Sequence, residues 1–161
     1  PPALYAQDMD AGRIEDPEAL SARVKVLVEG QHDWVKLWDV HRHIAEENSA
    51  STLIDVQRKT LALVQSLLRE RLAEVGVLSD HGSRFEPWRS DLTETMKRLT
   101  VEYIDNFDDR AGWPWMLWLR LTDAGRTIGA GHEPAYRQWP YELRAQGQEY
   151  QAIPARLQPR S

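Results

Sequence analysis

Residues 53–78, LIDVQRKTLALVQSLLRERLAEVGVL, hold the longest uninterrupted amphipathic pattern in the chain. At about 100° per residue, Leu53, Val56, Thr60, Leu61, Leu63, Val64, Leu67, Leu68 and Leu72 fall on one broad face. Asp55, Arg58, Ala62, Gln65, Ser66, Arg69 and Ala73 fall on the other. One face is suited to burial and the other to water. Ser51 or Thr52 can cap the start, and Asp55 places an acid in the first turn. Neither Gly nor Pro interrupts the run. Helix is expected to give way near Ala73–Glu74 to a short strand, Val75-Gly76-Val77-Leu78.

Working outward on the N-terminal side, Asp16-Pro17-Glu18 is a helix-start signal, with a helix expected to run to Gly30. A second helix is expected from Asp33 to about Asn48, with Trp34, Leu37, Trp38, His41 and Ile44 at helical spacing. Its short link to the third, residues 48–51, suits a compact trihelical core.

On the C-terminal side, residues 79–83 are turn material, and Phe85-Glu86-Pro87-Trp88 reads as an extended segment. Ser90 or Asp91 can cap another helix, with Leu92, Met96, Leu99, Tyr103 and Ile104 or Phe107 on its apolar side. Residues 106–112 form a polar, acidic loop. Trp113-Pro114-Trp115-Met116-Leu117-Trp118-Leu119-Arg120-Leu121 is the most apolar window. It is expected to be a strand beginning after Pro114 that pairs with the strand at 74–78. Thr122 or Asp123 can cap a helix reaching about Ala130. The rest, with four prolines and several aromatics, is expected to be mostly irregular, with one helical turn near 141–146.

The composition is that of an ordinary globular domain, with 42% apolar and 28% charged residues. The absence of cysteine excludes disulfides, thiol catalysis and Cys-based zinc sites, and fits a cytoplasmic location. The net charge of −5 disfavours nucleic acid as a partner. No apolar run approaches the length of a membrane span, and no signal-peptide pattern opens the chain. The organisation expected is an N-terminal arm over 1–15, one domain over 16–130 with an insertion at 79–112, and a Pro/aromatic tail over 131–161 that packs on the domain or on a partner.

Two further stretches carry a resemblance. The run Leu67-Leu68-Arg69-Glu70-Arg71-Leu72-Ala73-Glu74-Val75 and the later Leu121-Thr122-Asp123-Ala124-Gly125-Arg126 resemble the helix-to-strand exit and wing-closing strand of winged-helix proteins. The chain also looks like small bacterial, often actinobacterial, proteins that join this core to a Trp-rich second wing strand. That resemblance covers about residues 33–130 and assigns no activity. It implies a mainly α fold with a small antiparallel sheet, a winged helix-turn-helix-like core with a helical insertion in the wing. The insertion, the mildly basic third helix and the acidic balance depart from a DNA-reading member.

Two surfaces are candidates for function. The outward face of the third helix carries Arg58, Gln65 and Arg69 with Lys59 at its edge, groups able to meet bases and phosphates or a protein. Arg84, Arg89 and Arg120 extend it only if folding gathers them. The aromatic window has more apolar surface than one strand face can use. Trp113, Trp115 and Leu117 would face one way, and Pro114, Met116 and Trp118 the other. With Trp139, the tryptophans 113, 115 and 118 form a candidate aromatic interface for a protein partner or homodimer. His41 and His43, at i,i+2, do not share a helix face and make no metal pair; His41 is expected half-buried beside Trp38, and His43 exposed. Glu102, Asp105, Asp108 and Asp109 read as a solvated acidic turn. No catalytic motif, cofactor or metal is indicated. The leading expectation is therefore a non-catalytic association module, such as an adaptor, immunity-type or regulatory protein. A winged-helix DNA-binding regulator is the alternative, and an enzyme with an unrecognised site is the third.

Overall fold

The computed structural model describes residues 20–145 and 153–160, with the backbone alone for 139–145. The arm over 1–15, the Asp16-Pro17-Glu18 start signal, and the side chains of Trp139 and Tyr141 lie outside the described residues. The described chain is mainly helical, with a small open antiparallel sheet of four strands.

Helix α1 spans Ala22–Glu29, and Ser21 caps it by accepting from the Val24 N–H at 3.2 Å. Strand β1, Val35–Lys36, then leads directly into helix α2, Leu37–Glu47. The helix expected from Asp33 therefore begins four residues later. Val35 and Lys36 pair with Leu119 and Trp118, and this long-range pairing overrides the helical period. Helix α3, Leu53–Arg69, starts at Thr52, whose hydroxyl accepts from the Asp55 N–H at 3.3 Å. Arg71 turns the chain with a φ of 57°, so the helix ends short of Ala73 and the strand begins there.

Strand β2, Ala73–Ser79, makes a hairpin with β3, Arg84–Pro87. The sequence expectation had Phe85–Trp88 extended but gave it no strand partner. Helix α4, Leu92–Leu99, is capped by Asp91 and widens into a π-helical segment, Thr100–Asp105. Helix α5 is a single turn, Trp113–Met116, followed by β4, Trp118–Leu121. The strand expected after Pro114 thus starts four residues on. Gly112-Trp113-Pro114 acts as a helix start, a position where a proline lacking its N–H costs little.

Strand β4 enters between β1 and β2, giving the order β1-β4-β2-β3. Its pairing with β2, Ala73↔Leu121 to Gly76↔Trp118, is the one expected across the helical insertion. Ala73, Val75, Leu119, Leu121 and Val35 line the inner face and join α1–α3 in one core with Val26, Leu27, Val40, Val64 and Leu67. Successive strand residues alternate between faces, so Lys36, Trp118, Arg120, Glu74, Leu78 and Phe85 take the outer face. The Phe85 ring lies across Gly76, where a Cβ would come within 2.8 Å of Phe85 Cζ.

Helix α6 runs from Asp123 to Ala145, well past the Ala130 limit expected, and replaces the irregular tail over 131–145. It packs along α1, and the Tyr136 hydroxyl donates to Glu29 Oε2 at 2.7 Å. The later segment lies across the domain. Ile153 and Leu157 are buried with Ala22, Ile44, Ala45 and Val56. Arg110 donates to the Pro159 and Arg160 carbonyls, and Arg156 to those of Ser49 and Ser51.

Candidate interaction surface

The aromatic window divides between inside and outside because residues 113–116 form a helical turn, not a strand. The Trp115 and Met116 N–H groups both donate to the Gly112 carbonyl. That geometry sends Trp113 inward and Trp115 and Met116 outward. Trp113 is 2% exposed, and its indole N–H donates to the Phe107 carbonyl at 2.8 Å. Its ring packs on Tyr103 and Phe107 at centroid distances of 4.7 and 5.2 Å. Trp113 is therefore a core residue and supplies no contact surface, a correction to its place among the interface tryptophans.

Trp115 and Met116 are 62% and 57% exposed. Half-buried Trp118 donates its indole N–H to the Trp115 carbonyl at 3.0 Å, which fixes the two tryptophans side by side. The Lys36 ammonium, arriving from β1, lies 4.7 Å from the Trp115 ring centroid and 5.8 Å from that of Trp118. Such placement is attractive because the ring faces carry negative potential. Lys36 was missed in the sequence, where it reads as one polar residue on a helix. Only the β1–β4 pairing carries it to the tryptophans. Trp139 belongs to α6, and its side chain is among those not described.

Beside this patch on the outer sheet face is a second aromatic group. Phe85 is covered by Trp34, at a centroid distance of 6.1 Å, and by the Arg120 guanidinium, 4.6 Å from its centroid. Arg120 also donates to Glu74 at 2.6 Å. Those groups satisfy one another, whereas Trp115 and Met116 are uncovered among the described residues.

The α3 face is less coherent. Arg58 and Arg69 are exposed, Gln65 is half-buried, and Lys59 donates to Asn48 Oδ1 at 2.5 Å. At the C-terminal end, Arg23 from α1 donates twice to Glu70, at 3.0 and 3.1 Å. Arg84 is held by Asp80 and Glu86. Arg120 points from the outer face of the sheet while α3 packs on the inner one. Arg84 and Arg120 therefore do not extend the α3 face into a continuous basic stripe; Arg89 is exposed.

The polar candidates are structural. His41 is fully buried against Trp38. Its Nε2 lies 2.6 Å from the Leu157 carbonyl and its Nδ1 2.5 Å from the Tyr103 hydroxyl. A carbonyl only accepts, so Nε2 carries the proton and Nδ1 accepts from Tyr103. Burial pushes the His41 pKa down to about 4, and pushes the Tyr103 hydroxyl up. His43, expected exposed, is 1% exposed and meets Glu29 at 2.6 Å. Burial raises the Glu29 carboxyl, but the hydrogen bonds from His43 and Tyr136 outweigh it and hold the group below its ordinary range. In the acidic turn, Asp108 accepts from the Arg160 N–H and Asp109 from that of Ala111. Among the described residues no group of three or more metal-ligating side chains forms, and no helix is long and apolar enough to cross a membrane.

No family model, curated protein or solved structure matches the chain.

Proposed function

We propose that this chain is a non-catalytic association protein that works by burying the Trp115–Met116–Trp118 surface against another protein. The cysteine-free chain suits a cytoplasmic setting. The single observation supporting the association is the exposure of Trp115 and Met116 on a turn anchored by Trp113 beneath it. A tryptophan at this exposure leaves roughly 150 Å² open, worth on the order of 3–4 kcal/mol on burial at about 25 cal/mol/Å². That is the scale of an interface hot spot. Affinity capture from a native extract, combined with light scattering on the pure chain, tests the reading. We expect a captured partner that is lost with Trp115→Ala while the thermal midpoint is unchanged. A chain that stays monomeric and captures nothing overturns it.

A second reading is a winged-helix DNA-binding regulator with α3 as its reading helix. It is supported by the element order α1-β1-α2-α3-β2, by a later strand that returns between β1 and β2, and by the exposure of Arg58 and Arg69. The net charge of −5 and the pairing of Arg84 and Arg120 with carboxylates weigh against it. Salt-dependent binding of duplex DNA that weakens in Arg58→Ala and Arg69→Ala would favour it over association.

A further inference from the structure

The association reading leaves open what chemistry the partner presents, and Lys36 bears on that. Its ammonium lies between Trp115 and Trp118, and the described residues give it no carboxylate within ion-pair reach. The neighbouring cation Arg120 differs, since Glu74 already neutralises it. Among the described residues the patch therefore offers one uncompensated positive charge framed by exposed apolar surface, on a chain whose net charge is −5. Covering Trp115 and Met116 removes water from Lys36. A partner without an anion there would strand a charge, which costs far more than the cation–π contact returns.

From this charge complementarity we infer that the patch takes a protein segment with a carboxylate between large apolar side chains. The carboxylate meets Lys36, and the apolar groups cover Trp115 and Met116. The inference rests on the association reading. A second copy of the chain fits poorly. A two-fold contact centred on this patch sets two Lys36 ammonium groups against each other, between two chains of net charge −5. Nucleic acid also fits poorly. A polyanion draws its affinity from several free cations, and on this face Glu74 of the adjoining strand β2 already holds Arg120.

The test is selection of a phage-displayed random peptide library on the full chain, followed by titration of the enriched peptides. We expect enrichment of Asp or Glu flanked by Leu, Ile, Phe or Trp. Lys36→Met should weaken these peptides at least about tenfold, the loss of one charge-assisted contact. Lys36→Glu should redirect selection to Lys or Arg at the same position. Trp115→Ala should abolish enrichment, with circular dichroism and thermal midpoint confirming that each variant is folded. Binding that needs Trp115 but ignores the sign of residue 36 overturns the acidic assignment and leaves the association reading standing. Binding indifferent to Trp115 overturns both. Self-association lost in Trp115→Ala identifies a second copy as the occupant, and oligonucleotide binding lost in the same variant identifies nucleic acid. Either result overturns the inference.

Discussion

His41 joins three parts of the chain through one imidazole: α2, which carries it, the Tyr103 hydroxyl, and the Leu157 carbonyl. Because the folded pKa is about 4 and the ordinary value is 6.5, the unfolded chain takes up the proton first. The neutral ring therefore contributes its full stability above pH 6.5, and that contribution falls as pH drops toward 4. From this residue alone, unfolding free energy should fall by about 2 kcal/mol between pH 7.5 and 5. Urea melts at the two pH values measure it. His41→Gln should be less stable at pH 7.5 but should lack that component of the slope. Tyr103→Phe leaves Nδ1 buried without a donor and should cost about 1–3 kcal/mol. None of this was legible in the sequence. His41 stands on an aromatic helix face there, and nothing indicates that a carbonyl 116 residues away will reach it.

The elements differ in how well their sequences announce them. Helix α3 was readable because it is long, capped by Thr52 and free of breakers. Its face pattern survives over Leu53–Arg69 with Gln57 also buried, whereas Ala73, expected on the wet face, lies in β2 and is buried. Strand β1 was not readable, because two residues carry no period of their own. Helix α6 outruns its expected end near Ala130 because it continues through Gly131 and Pro134, residue types that usually end helices. The structure gives two of the helix glycines another purpose. A Cβ on Gly129 would come 2.1 Å from the Leu27 carbonyl oxygen, and one on Gly125 would come 2.2 Å from that of Leu72. They let α6 lie directly against α1 and the turn between α3 and β2. Gly129→Val should therefore separate α6 from α1 and lower stability by roughly 2–4 kcal/mol in chemical denaturation, as overpacking and backbone clash do. Thr52→Ala, by contrast, should cost about 1 kcal/mol, the worth of one cap.

Across the whole molecule, the segment over 153–160 acts as a strap. It seals the side of the core where α1, α2 and α3 meet, with Ile153 and Leu157 buried and Arg156 on the turn between α2 and α3. Deleting residues 153–161 should expose that cluster, leave His41 Nε2 without an acceptor, and cost on the order of 3–5 kcal/mol, read as a shift in urea midpoint. The sequence pattern did place β4 against β2 correctly, because both flanking strands had recognisable apolar runs. The aromatic site was only half legible. Its tryptophans were visible, but their sorting into core and surface depends on a single helical turn at 113–116. The sheet order also governs when the fold can close. Strands β1 and β2 share no hydrogen bonds and are bridged only by β4. While the chain is being synthesised, everything up to residue 117 emerges with β1 unpaired and the inner sheet face open. Strand β1 can therefore join the β2–β3 hairpin only after Trp118–Leu121 has been made, so closing the sheet is a late, long-range step of folding.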